Sequence, residues 1–171
     1  MTNPLFDALL APHLGHDTVF IHQPDGGLLS HADFLDNAAR IANTLNHAGL
    51  QPGDRVAVQV PKSVEALALY AASVMAGIVF LPLNTAYTTE ELSYFIADSG
   101  AALVIGDPSS AEALQGIADN VGASIMTLGA NGQGTLMDSA STMPASFNVV
   151  ERSEDDLAAL LYTSGTTGRS K

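Results

Sequence analysis

Apolar residues recur along this chain at two spacings, and the switches between them mark out its elements. Val19-Phe20-Ile21-His22 predicts a short strand, and Pro24-Asp25-Gly26-Gly27 supplies turn residues before Leu28-Leu29, a hairpin pattern. Ser30 then opens a helix, with Asp33 three positions on as its capping partner. Phe34, Ala38, Ile41, Ala42 and Leu45 follow at helical spacing until Gly49, so this helix buries one face.

Pro52-Gly53-Asp54 turns the chain into Arg55-Val56-Ala57-Val58-Gln59-Val60, a strand by its β-branched content. Ser63 caps a helix with the stripe Val64, Leu67, Ala71 and Val74, Gly77 closes it, and Ile78 to Leu81 extends again. This strand-helix-strand order has the length of a parallel βαβ unit. The order repeats: a helix capped by Thr89 through Asp98, a strand at Leu103-Val104-Ile105, a helix from Ser110 to about Asn120, and a strand at Ser124 to Thr127. The expected fold class is α/β, a mostly parallel sheet flanked by helices. Residues 1–128 form that α/β unit, and 129–156, rich in Gly, Asn, Ser and Thr, is a connector with one short helix near Leu136. Residues 157–171 combine a strand, apolar enough from Asp156 to Tyr162 to be buried on both faces, with a polar loop.

Composition narrows the partners. Eighteen acidic against six basic residues give a net charge of -12, which argues against nucleic acid and anionic membranes. The first residues lack a cationic leader, and the longest apolar stretch, Val74 to Leu83, is shorter than the ~18 residues of a membrane span. The absence of cysteine excludes disulfides and thiolate metal sites and fits a cytoplasmic setting.

The chemistry concentrates in the last ten residues, YTSGTTGRSK. A glycine-rich loop leaving a strand can turn backbone N–H groups toward an anion, and phosphate suits it best. Thr163, Ser164, Thr166 and Thr167 add hydroxyls, Gly165 and Gly168 add conformational freedom, and Lys171 adds a point charge. The spacing Gly165-x-x-Gly168-x-x-Lys171 matches neither a Walker A loop nor G-x-G-x-x-G.

The stretch Tyr162 to Gly168 followed by Lys171 resembles the phosphate loop of the adenylate-forming superfamily: acyl-CoA synthetases, luciferases and peptide-synthetase adenylation domains. The resemblance extends through Gly49-Leu50, Gly53 to Ala57, Ser63-Val64-Glu65, Ala76-Gly77, Pro82-Leu83-Asn84 and Glu91 to Tyr94, all in order. Lys62 to Leu67, Leu81 to Thr88 and Thr167 to Lys171 are most similar to the malonyl-CoA synthetases, although Ser170 stands where most relatives carry proline. The resemblance implies the large domain's N-terminal portion and the partners ATP, Mg²⁺, coenzyme A and malonate. It implies an AMP-forming ligation through a malonyl-adenylate, with Thr163 contacting magnesium, Ser164 to Gly168 wrapping the phosphates, and Lys171 at the loop's far edge.

No residue here matches the family's adenine pocket, carboxylate pocket, hinge or catalytic lysine, which follow the loop. The expectation is therefore an amino-terminal fragment, inactive alone and prone to self-association through a bare edge. Two alternatives stay open: adenylation of another carboxylic, aryl or amino acid, and a noncatalytic α/β interaction module with a polar tail, its acidic surface suited to a basic protein.

The other polar clusters predict less. His13, His16 and Asp17 read as a solvated loop without metal, His31 as exposed or capping, and His22 and His47 lack a telling partner. Glu90-Glu91 suits a helix start, and Tyr87 and Tyr94 suit packing. Ser164 lacks the setting of an acyl-enzyme nucleophile.

Overall fold

A computed structural model describes residues 2–163. Helix α1 (Pro4–Leu9) opens the chain, with the Asn3 side chain accepting from the Phe6 N–H and proline in the first turn. A single 3₁₀ turn, Ala11–His13, leads to β1 (Val19–His22) and β2 (Leu28–Ser30), which pair as the expected antiparallel hairpin.

Helix α2 (His31–His47) starts where predicted: Ser30 Oγ accepts from the Asp33 N–H and donates to the Asp33 carboxylate. Strand β3 (Arg55–Gln59), helix α3 (Val64–Ala76) and β4 (Val79–Pro82) form the first βαβ unit, with Ser63 as N-cap and Gly77 left-handed at the helix end. The next helix, α4 (Thr89–Ser99), is capped by Thr88, one residue earlier than the sequence suggested. Thr88 wins because Glu91 then stands at the third helical position and its carboxylate reaches back to the Thr88 N–H at 2.8 Å, a reciprocal box that Thr89 lacks.

Strand β5 (Leu103–Gly106) is followed by a 3₁₀ turn, Pro108–Ser110, and helix α5 (Ala111–Val121). Helix α5 starts from Ser110 as expected, but Ser110 makes no side-chain cap; Asp107 instead caps the preceding 3₁₀ turn by accepting from the Ser109 N–H. Strand β6 (Ser124–Thr127) and helix α6 (Thr135–Ala140) complete the regular elements, the latter centred on Leu136.

The four longer-range strands pair in the order β4-β3-β5-β6, all parallel. The chain winds outward from β3 to β4, then crosses back to β5 and on to β6. Right-handed crossovers in opposite directions place their helices on opposite faces. Side chains obey that layering. Val56, Val58, Leu103 and Ile105 join the cluster under α2 and α3, whereas Ala57 and Val104 join the one under α4 and α5. The 129–156 stretch adds to the first cluster, with Leu136 and Ala140 buried and Phe147 and Val149 packed against it.

The strand expected over residues 156–162, buried on both faces, takes another form. The segment meets β4 through one parallel bridge, Ala159 to Phe80, with Phe80 N–H donating to Ala158 O and Leu160 N–H to Phe80 O. Leu157 and Leu161 remain 61% and 70% exposed. The segment has a described neighbour on one side alone, so its apolar residues lack the second layer that covers β3 and β5.

Candidate functional site

Parallel strands end on one edge, so loops after β3, β4 and β5 gather there. Strands β3 and β5 are neighbours whose outgoing connections diverge, which makes their carboxyl ends the switch point where open α/β sheets leave a crevice. Gln59, buried at the end of β3, donates through Nε2 to Asn84 O at 2.9 Å, and Asn84 Oδ1 accepts from the Ala86 N–H. The loop after β4 is thereby tied to the sheet centre. Because residues 158–160 run parallel to β4, residues 161–163 continue toward this same edge.

Of the predicted site residues, Thr163 is described and exposed at the root of the loop. Ser164, Gly165, Thr166, Thr167, Gly168 and Lys171 lie outside the described residues. What the structure adds is how the root is held. The Tyr162 ring lies 4.4 Å from the Phe95 ring at 38°, and its hydroxyl donates to Asp98 Oδ2 at 2.6 Å. Burial, then the bond to the Asp98 carboxylate, raises the Tyr162 pKa well above the usual phenol range, so the hydroxyl stays a donor. Sequence reasoning missed this anchor. The available signal was an aromatic with a polar tip closing an apolar run, which needs a partner for that tip when half-buried.

Positive charge is scarce among the described residues. Arg55 donates to Ser99 O at 2.8 Å and Gly100 O at 2.7 Å, holding the carbonyl end of α4. Arg40 donates to Met143 O, and Arg152 pairs with Asp156 at 3.3 Å. Three of the four cations among the described residues thus serve the fold. Lys62, exposed just beyond β3, makes no hydrogen bond or ion pair with another described residue. Asp107, beyond β5, is held below the usual carboxylate range by hydrogen bonds from the Ser109 hydroxyl and N–H, and adds negative charge there.

No group of three or more His, Cys, Asp or Glu side chains placed to hold a metal ion occurs among the described residues. His13 instead stacks on His31 at 4.3 Å and 11°, and Phe20 tilts against His31 at 4.6 Å. His31 is thus a half-buried packing residue. Tyr87 and Tyr94 both pack against Phe95, as the sequence suggested. No helix among the described residues is long and apolar enough to cross a membrane.

Residues 11–171 match the family model described as AMP-binding enzyme. The chain belongs to the AMP-binding enzyme family. Its fold is that of the N-terminal part of such enzymes: ATP-bound MatB from Rhodopseudomonas palustris superposes with a TM-score of 0.94 at 50% identity, covering 100% of this chain and 34% of that one. Feruloyl-CoA synthase from Amycolatopsis is 34% identical over 168 residues, 98% of this chain and 31% of the relative. A long-chain-fatty-acid–CoA ligase from Mycobacterium tuberculosis is 36% identical over 146 residues, 84% of this chain and 28% of the relative. This AMP-binding chain therefore spans about a third of the length of these relatives.

Proposed function

We propose that the chain is the part of an AMP-forming acyl-CoA ligase that grips the triphosphate of ATP, and that malonate is the acid. The observation that carries this reading is the Tyr162 to Lys171 motif, continued from a segment running parallel to β4 toward the carboxyl edge of the sheet. Backbone N–H groups and hydroxyls of residues 164–168 would hold the β- and γ-phosphates, with Lys171 beyond them, where they stabilise charge on the departing pyrophosphate. Thr163, exposed at the root, would contact Mg²⁺, which offsets phosphate charge when bound.

The chemistry balances as two displacements. A malonate oxygen bonds to the α-phosphorus of ATP while the bond from that phosphorus to pyrophosphate breaks. The sulfur of coenzyme A then attacks the acyl carbon, loses its proton, and displaces AMP.

Malonate is favoured over other acids by the runs Lys62 to Leu67 and Leu81 to Thr88, and by 50% identity to MatB against 34% and 36% to the feruloyl and long-chain relatives. ATP/pyrophosphate exchange by the full reading frame containing this chain tests it, with malonate, oxalate, ferulate, palmitate and an amino acid as substrates. Malonate should support the fastest exchange; exchange with another acid and none with malonate rejects the assignment. The isolated 171 residues should release no pyrophosphate with malonate, since three of their four described cations are already bound within the fold.

A further inference from the structure

Main-chain hydrogen bonding between residues 157–163 and the sheet stops at Leu160, whose N–H donates to Phe80 O. Thr163 follows three residues later. Within that gap the contacts that fix the chain come from one side chain, Tyr162, through its ring on Phe95 and its hydroxyl on Asp98. Asp98 sits in the last turn of α4, and that turn is itself clamped: the Arg55 guanidinium, rooted in β3, holds the carbonyls of both Ser99 and Gly100. A continuous path therefore runs from the centre of the sheet through Arg55, the end of α4 and Asp98 to the residue before the loop.

We propose that Asp98 is a positioning residue that acts through the Tyr162 hydroxyl to set where the 163–171 loop leaves the sheet. The geometry is specific, because Tyr162 could bury its ring on Phe95 without meeting a carboxylate, yet its oxygen lies 2.6 Å from Asp98 Oδ2 across 64 residues of sequence. A bond to an ionised acceptor is short and directional, so it selects one orientation of the phenol and of the backbone bearing it. The raised Tyr162 pKa keeps the proton on oxygen at any working pH, so the bond is always available from the donor's side. The consequence for binding rests on the phosphate-loop reading: a binding segment whose root is fixed in advance loses less freedom when it takes up a ligand.

Two measurements on the full-length polypeptide keep the anchor and that reading apart. The first needs no activity: the initial rate of tryptic cleavage after Arg169, compared with cleavage after Arg152 as an internal reference. Tyr162→Phe, which keeps the ring and removes the donor, and Asp98→Ala should each raise the Arg169 rate roughly threefold to tenfold, and Asp98→Asn, which keeps an oxygen acceptor, should restore most of the protection. The double variant should be no worse than either single one, because both remove the same bond. The second is the steady-state split: KM for ATP should rise by a similar factor, with KM for malonate unchanged. Unchanged cleavage after Arg169 in both Tyr162→Phe and Asp98→Ala overturns the proposal, as does a fully additive double variant. Altered cleavage in a protein that activates no acid upholds the anchor and rejects the ligase reading instead.

Discussion

Strand β5 and the 157–163 segment are both short apolar stretches, yet they sit at opposite ends of the molecule's order. Strand β5 pairs with β3 on one side and β6 on the other, and all four of its residues are buried. The 157–163 segment touches β4 through one bridge and leaves two leucines largely exposed. Apolar content is thus no guide to burial without a count of neighbours. The rigid part of the fold is where pairing is double and both faces are covered. The loop root is held instead by one bridge and one side chain, Tyr162.

The contrast predicts the largest effect at its buried pole. Leu103→Ala should cost about 2–5 kcal/mol in urea unfolding, since the cavity cannot collapse between two covered faces. Leu157→Ala should stay within about 0.5 kcal/mol. Equal losses would erase the distinction. Next comes the turn joining β6 to α6. Gly134 has φ +128°, and a Cβ there would lie 2.4 Å from Thr127 O, so Gly134→Ala should cost about 1–3 kcal/mol by the same assay. Thr88→Ala removes the α4 cap and should cost about 1 kcal/mol, and it should also raise cleavage after Arg169 if the end of α4 holds the loop root.

The smallest effect is set by pH at the amino-terminal hairpin. Burial, then His13, then His16, push the His31 pKa below its ordinary 6.5. The unfolded chain therefore binds that proton more readily, so the contribution to stability is present above pH 6.5 and lost as pH falls through the lowered folded value. Unfolding midpoints measured down this range should decline, and His31→Asn should flatten the decline. Glu91, Asp107 and Asp156 are also shifted down, but from 4.5, 3.8 and 3.8, so their losses begin at lower pH and leave the histidine step separable.

What could be read from the sequence was local or periodic. Ser30 with Asp33, Ser63 and Gly77 marked helix ends because caps act over three or four residues. Alternating strand and helix spacing gave the parallel sheet. Helix α1 was missed although Asn3-Pro4 is a readable start signal, since six residues offer too little periodicity. The loop motif was visible as composition. Its anchor was not, because Asp98 and Tyr162 meet through tertiary packing that no local rule encodes. The exposure of Leu157 and Leu161 was hidden for the same reason.

Asn3 carries one more consequence. Its side-chain amide donates to Val74 O and Val150 O, and Arg152 N–H donates to Thr2 O, so residues 2 and 3 are fastened both to the end of α3, 71 positions on, and to the connector, 147 positions on from Asn3. Closing so large a circuit is entropically slow. Helix α1 therefore gains its full set of tethers only when the connector lies beside the end of α3.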